Sequence, residues 1–189
     1  MAHDNIEIEI KIHLDEASFL RIKDKLTKIA LFDKVSRQVD EYFTPANRNF
    51  LEPEFPFEWM SIRNRSGKSI LNYKHWYPEN AEVTTHCDEI ETEVDGIQLK
   101  KIFSALNFKH LITVEKQREI YMFQDEFEIG LDTVKDLGFF IEIESIKDFG
   151  SVEKTRKKIF EFAEILGIDH SRELRGYPFL LMKKKGLIK

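Results

Sequence analysis

The amino-acid sequence predicts an α+β protein, an antiparallel β-barrel with a charged lumen and helices packed outside it. The stretch Ile6-Glu7-Ile8-Glu9-Ile10-Lys11-Ile12 alternates apolar and charged residues without a break, which is the period of a half-buried strand. Charges recur on one side of further alternating segments at Arg63/Arg65, Glu89/Glu91/Glu93, Lys116/Arg118, Glu128 with Asp132, and Glu142/Glu144, so six segments share one design. Between them lie amphipathic stretches at helical period, which can cover the apolar faces from outside and leave the charged faces to line the interior. Acids and bases alternate from strand to strand, and a lumen that holds both suits a polyanion together with its metal ions.

A chain of 189 residues is expected to form one domain with a sizeable core. Charged residues make up 33% of it, yet the formal net charge is only -5, so a general basic surface for nucleic acid is not expected and any anion must be bound locally. The single cysteine, Cys87, provides neither a disulfide nor a zinc framework and fits a reducing cytoplasm. No apolar run precedes Asp4 and no segment approaches the ~20 apolar residues of a membrane span, so no membrane association is expected.

After the first strand, Asp15 opens a helix with Phe19, Ile22, Leu26 and Ile29 on one face. A second strand is expected over 37–43, followed by an irregular loop carrying Pro45, Asn47, Asn49, Pro53 and Pro56, which is either a lid or an ordinary crossover. Residues 58–65 and 69–76 read as a hairpin across Ser66-Gly67-Lys68, with Lys74 on its second strand. Gly67-Lys68-Ser69 is not a P-loop, because Ile62 stands where that pattern needs glycine and a β-prone run follows where it needs a helix.

A fifth strand over 84–94 carries three glutamates, and Asp95 then caps a helix expected to bury Ile97, Ile102, Phe103 and Leu106. Strands over 111–122, 126–132 and 138–146 follow, joined by turns at Gln124-Asp125 and Lys135-Asp136. Ser151 begins a third helix that Gly167 ends. The remainder, from His170 through Tyr177, Pro178 and Phe179 to Lys183-Lys184-Lys185, reads as a tail with a solvated basic end.

In this order the motifs resemble those of the CYTH superfamily, the triphosphate tunnel enzymes that include class IV adenylate cyclases and thiamine triphosphatases. The resemblance is carried by Glu7-x-Glu9-x-Lys11, Asp40-Glu41-Tyr42-Phe43, Arg63-x-Arg65, Asn72-Tyr73-Lys74, Glu89-x-Glu91, Glu115-Lys116-Gln117-Arg118, and Leu131-Asp132 followed by 137–144. It spans residues 5–165, leaving 166–189 as the tail of a single domain over 1–189, and implies an eight-stranded antiparallel tunnel with helices outside.

The resemblance further implies that Lys11, Arg63, Arg65, Lys74, Lys116 and Arg118 bind a small-molecule triphosphate. Lys11, Lys74 and Arg118 would be the catalytic cations that offset charge building on the phosphoryl oxygens. Glu7, Glu9, Glu89, Glu91, Asp132, Glu142 and Glu144 would hold one or two Mg²⁺ or Mn²⁺ ions. A homodimer is a further implication, since relatives are frequently dimers.

Three activities are compatible with this: an adenylate cyclase of class IV type, a triphosphatase acting on thiamine triphosphate, a nucleoside triphosphate or inorganic tripolyphosphate, and a non-catalytic polyphosphate-binding module. The pattern over the whole chain places cyclase first, although Gly176 stands where cyclase-like chains usually have serine in the C-terminal Ser-Tyr segment. A cyclase also needs an adenine pocket, for which Trp59, Trp76, Tyr77 and Tyr177 are the aromatic candidates. The histidines His13, His75 and His86 form no metal-ligand spacing.

Overall fold

The computed structural model describes residues 6–65 and 67–188; Asp4 and Ser66, used above to read the chain start and one hairpin turn, lie outside them. The elements run β1 (Ile6–Glu7), β2 (Glu9–Leu14), α1 (Glu16–Ile29), β3 (Leu31–Thr44), β4 (Glu58–Arg65), β5 (Lys68–Tyr77), β6 (His86–Val94), α2 (Gly96–Ala105), β7 (Lys109–Phe123), β8 (Phe127–Val134), β9 (Gly138–Ser145), α3 (Val152–Leu166), a 3-10 turn (His170–Arg172) and α4 (Tyr177–Lys184). The described residues gather into two compact units, one of 7–36 and 116–175, the other of 6, 37–115 and 176–188.

In the first unit, β7, β8, β9 and β2 pair in that order. The ladders are antiparallel, and their register sets Gly130 beside Glu142 beside Lys11, with Glu128 beside Glu144 beside Glu9 in the next row. Because successive side chains point to opposite faces, the other face is apolar: Ile10, Ile12, Ile129, Leu131, Ile141 and Ile143 are all buried. Helices α1 and α3 pack on β2 and β9 and bury Phe19, Ile22 and Leu26, and Ile159, Phe162, Ala163 and Leu166. Each large aliphatic buried there contributes roughly 1.5–3 kcal/mol.

The ends of these helices follow from local chemistry. Asp15 accepts from Ser18 N at 2.7 Å and Ser151 from Lys154 N at 3.2 Å, which satisfies backbone donors that the helix leaves open. Gly167 closes α3 in the left-handed region at φ 74°. The β7–β8 turn has both Gln124 and Asp125 at positive φ, which matches the twist of a tight hairpin.

In the second unit, β6, β5, β4 and β3 pair in that order, again antiparallel. Asp40 faces Arg63, Tyr42 faces Ser61 and then Asn72 and Glu91, and Trp59 faces Lys74 and then Glu89. Phe43, Ile62 and Phe103 form the buried centre on the opposite face, with Met60, Leu71, Leu99 and Phe108 against it. The loop after β3 folds back on its own strand, since Thr44 Oγ1 accepts from Phe50 N and donates to Arg48 O, both at 3.0 Å.

Four expectations change. Among the described residues there are nine strands rather than eight, because the first segment divides at Ile8: β1 neighbours β6 while β2 neighbours β9. Strand β3 starts six residues before the expected segment. Of the apolar residues assigned to α2, only Phe103 is buried; Ile97, Ile102 and Leu106 are 69%, 52% and 59% exposed. Leu99 and Phe103, four residues apart, form the inner stripe instead. The tail carries α4, which buries Tyr177, Pro178, Phe179, Leu181 and Met182, while Lys183, Lys184 and Lys185 are exposed as expected. Eight residues with apolar side chains nearly all round show no helical period. Among the described residues, no helix is long and apolar enough to cross a membrane.

Candidate active site

Strand alternation and register bring Glu7, Glu9, Lys11, Lys116, Arg118, Asp132, Glu142 and Glu144 to the charged face of the first unit. Arg118 grips Asp132 with a two-pronged contact, Nε to Oδ1 at 2.8 Å and Nη2 to Oδ2 at 2.6 Å, and Nη2 also donates to Glu142 Oε1 at 2.7 Å. Lys116 Nζ donates to Asp132 Oδ2 at 3.0 Å. Lys11 Nζ donates to Glu9 Oε1 at 3.0 Å and also to Glu142 Oε2.

All of these network residues are at most 8% exposed, so their ionisation is decided by neighbours. Burial alone would raise the Asp132 carboxyl, but the charges of Arg118 and Lys116 outweigh it and hold it down to about 2. Glu142 is likewise held well below the usual carboxylate range, with burial opposed by Arg118, Lys11 and Lys116. Burial works against the Lys11 ammonium, yet Glu142 and Glu9 raise it above its ordinary value. Asp132, Glu142 and Lys11 are therefore ionised near neutral pH.

One carboxylate oxygen from each of Glu7, Glu9 and Glu144 lies within 4.8 Å of the others. Oxygen ligands at that separation suit a hard divalent cation, whose metal–oxygen distances run from about 2.0 to 2.6 Å. The charges agree: on this face six carboxylates (Glu7, Glu9, Glu128, Asp132, Glu142, Glu144) stand with three cations (Lys11, Lys116, Arg118), and such an excess of negative charge favours a bound cation.

The second unit holds Arg63, Arg65, Lys74, Glu89 and Glu91. Arg63 Nη1 donates to Glu89 Oε1 at 3.0 Å and to Glu91 Oε1 at 2.5 Å, and Lys74 Nζ stands 3.4 Å from Glu89 Oε1. Burial disfavours the Arg63 charge, but Asp40, Tyr42, Glu89 and Glu91 raise its pKa further. The Nε atoms of Arg63 and Arg65, Asp40 Oδ1 and Ser61 Oγ are buried and make no hydrogen bond among the described residues.

Three further residues shape these clusters without having been assigned a role from sequence. Asn72, 2% exposed, donates through Nδ2 to Glu89 Oε1 at 2.6 Å and Glu91 Oε1 at 2.9 Å, drawing the two carboxylates together. Asp40 lies opposite Arg63 in the β3–β4 ladder. Gly130 leaves the space that Arg118 occupies. The signal for Gly130 was present, since an isolated glycine at an alternating position inside a strand marks a close approach. Asn72 and Asp40 carried only their place in motifs.

Of the aromatic candidates, Trp59 and Tyr177 are buried in packing at 6% and 5% exposure. Tyr77 is stacked between His75 and His86, with ring centroids 4.6 and 5.2 Å away. His13 is exposed, and no histidine belongs to a metal-ligand group among the described residues.

The family model of the CYTH domain matches residues 5–177. A protein of Methanocaldococcus jannaschii, provisionally named an adenylate cyclase, is 32% identical over 173 residues, covering 90% of this chain and 94% of that one. A solved structure from Pyrococcus horikoshii matches with a TM-score of 0.78 at 27% identity, over 94% of this chain and 99% of that one. A Hippeastrum protein, provisionally named an adenylyl cyclase and described as having a dominant triphosphatase activity, matches with a TM-score of 0.65 at 19% identity, over 96% and 95%. The fold is thus the nearly closed antiparallel β-barrel of these tunnel proteins, with helices outside. A family model matched over nearly the whole length, together with a relative at 32% identity, shows that the chain belongs to the CYTH domain family.

Proposed function

We propose that this CYTH protein is a metal-dependent enzyme that hydrolyses a triphosphate. The observation that carries the proposal is the pairing of an acidic trio, Glu7, Glu9 and Glu144, with the adjoining network of Lys11, Lys116 and Arg118. Glu7, Glu9 and Glu144 would hold Mg²⁺ or Mn²⁺, which supplies charge that no side chain provides on a phosphoryl oxygen. Lys11, Lys116 and Arg118 of the first unit would hold phosphate oxygens, as would Arg63, Arg65 and Lys74 of the second. Among them Lys11, Lys74 and Arg118 would offset the charge that grows on those oxygens as the bond to the leaving group breaks. Asp132 and Glu142 orient the cations, since each carboxylate is gripped by at least two of them.

Hydrolysis needs a water in line with the terminal phosphorus and nothing from the rest of the substrate, whereas cyclisation needs a ribose hydroxyl fixed in line with the α-phosphorus. Of the four aromatic side chains that might seat an adenine, Trp59 and Tyr177 are enclosed in packing and Tyr77 is stacked between histidines, which supports the hydrolase reading, while Trp76, half-buried with Lys74 Nζ 5.6 Å from its ring centre, is the candidate left to a cyclase. Adenylate cyclase is the second reading, supported by the name of the 32% identical relative. The test is a panel of ATP, thiamine triphosphate and tripolyphosphate with Mg²⁺ and with Mn²⁺, scored for orthophosphate, pyrophosphate and cyclic AMP. Orthophosphate release without cyclic AMP is the expected result. Cyclic AMP with pyrophosphate selects cyclase, and metal-independent binding without turnover selects a binding module.

A further inference from the structure

In the second unit the cations and carboxylates meet in an unusual way. Glu89 and Glu91 both reach Arg63 through the same nitrogen, Nη1, at 3.0 and 2.5 Å. Asn72 Nδ2 ties the same two oxygens from the neighbouring strand, at 2.6 and 2.9 Å. Carboxylates that neutralise a guanidinium for stability alone favour the fork, using Nε and an Nη together, as Asp132 does on Arg118. Here Arg63 Nε makes no hydrogen bond among the described residues although Arg63 is only 8% exposed. The Nε of Arg65, two residues along the same face, and Ser61 Oγ, fully buried, are in the same condition. A buried donor without an acceptor is costly, and three such atoms along one face of β4 point to a ligand rich in oxygen.

We propose that Glu91, assisted by Glu89 and positioned by Asn72, is an internal counter-anion that holds Arg63 in the unliganded protein and is displaced when a chain of phosphates binds. This rests on the triphosphate reading above and assigns the β6 carboxylates to selection of the anion. Glu91 is suited to leave, because its side chain is 36% exposed while that of Arg63 is 10% exposed. A ligand must outcompete two carboxylates already in place, so a short or weakly charged phosphate gains little and a polyphosphate chain, with many oxygens, gains most. The carboxylates thereby lower affinity for all phosphates and sharpen the preference for long ones.

The experiment is calorimetric titration of the full-length protein with tripolyphosphate, pyrophosphate and orthophosphate in EDTA, for the native chain, Glu91→Gln and Arg63→Ala. Glu91→Gln is expected to bind tripolyphosphate about two- to fivefold more tightly, the range a half-exposed ion pair supports, and to gain as much or more for pyrophosphate. Arg63→Ala is expected to bind all three more weakly. Unchanged or weaker binding by Glu91→Gln, with Arg63→Ala impaired, overturns the counter-anion role and leaves the triphosphate reading standing. Native affinity in Arg63→Ala, or no binding by the native chain, overturns the triphosphate reading and this inference with it. Glu91→Asp, which withdraws the carboxylate by one methylene while keeping its charge, provides the same comparison if Glu91→Gln does not fold.

Discussion

Arg118 lies flat against the backbone of Gly130: a Cβ placed on that glycine would stand 2.9 Å from both Cζ and Nε of the guanidinium. Gly130 is opposite Glu142 in the β8–β9 ladder, so the missing side chain lets Arg118 cross strand β8 and reach Glu142 on the strand beyond. Any L-residue at 130 must push the guanidinium away from two carboxylates at once.

Gly130→Ala is therefore expected to impair both function and folding. Displacing Arg118 from buried carboxylates should lower stability by about 1–3 kcal/mol, with the flexible end of the arginine keeping part of its contacts. Displacing a charge-assisted contact should lower kcat/KM for a triphosphate by about tenfold or more. Steady-state kinetics beside a thermal melt checks this, and native kcat/KM would show that the position of Arg118 does not matter to turnover.

Glu9→Gln and Glu144→Gln keep shape and remove anionic oxygen from the carboxylate trio. Each should weaken Mn²⁺ binding by about tenfold or more, measured by calorimetry on the protein without substrate. Stability without metal should hold or rise, because crowding of like charges is relieved. Equal Mn²⁺ affinity in both variants would place the ion elsewhere.

The depressed carboxyl of Asp132 makes part of the stability depend on acid. Its value in the fold, about 2, lies below the ordinary 3.8, so the folded chain favours the ionised form. The resulting stabilisation, about 2 kcal/mol, is complete above pH ~4 and is lost as pH falls through about 2. Denaturant unfolding of the native chain and Asp132→Asn at pH 6, 4, 3 and 2 should show a gap that closes towards pH 2. A gap that does not change with pH would mean that the ionised carboxylate is not what stabilises the fold.

A segment after α3 is fastened beside Lys11. Leu174 N donates to the Lys11 carbonyl at 2.7 Å, Glu173 bridges Ile12, and Arg156 holds Glu173 with Nη1 at 3.3 Å and Nη2 at 2.6 Å. Both partners are largely enclosed, so Arg156→Ala should cost about 1–3 kcal/mol and speed amide exchange at Leu174. Native exchange at Leu174 in that variant would show that the ion pair does not hold the segment.

The α2 helix shows where reading from sequence falls short. Asp95 was recognisable as its cap from residue type alone, and it does accept from Ile97 N and Gln98 N at 3.0 Å. Which stripe of the helix turns inward was not recognisable, because Ile97, Ile102 and Leu106 are as apolar as Leu99 and Phe103. The choice is made by the partner surface around Phe43 and Ile62, which comes from distant parts of the chain. Helix α4 was missed for a related reason, since burial from several sides leaves no polar stripe to mark a helical period.

What the sequence determined by itself was the alternation: a strand repeats every two residues, so Glu7, Glu9 and Lys11 share one face and the isoleucines the other wherever the strand is placed. That was enough to predict charged faces on antiparallel strands, with helices covering the apolar ones. Only the tertiary structure decided which charges meet. Lys11 and Glu142 are 131 residues apart and become partners through the β2–β9 register, which also sets Glu9 beside Glu144. A shift of one residue in that ladder would turn every charge to the apolar side, and burial of the isoleucines forbids it. Alternation is local and legible in one strand, whereas register is set by the packing of both faces at once.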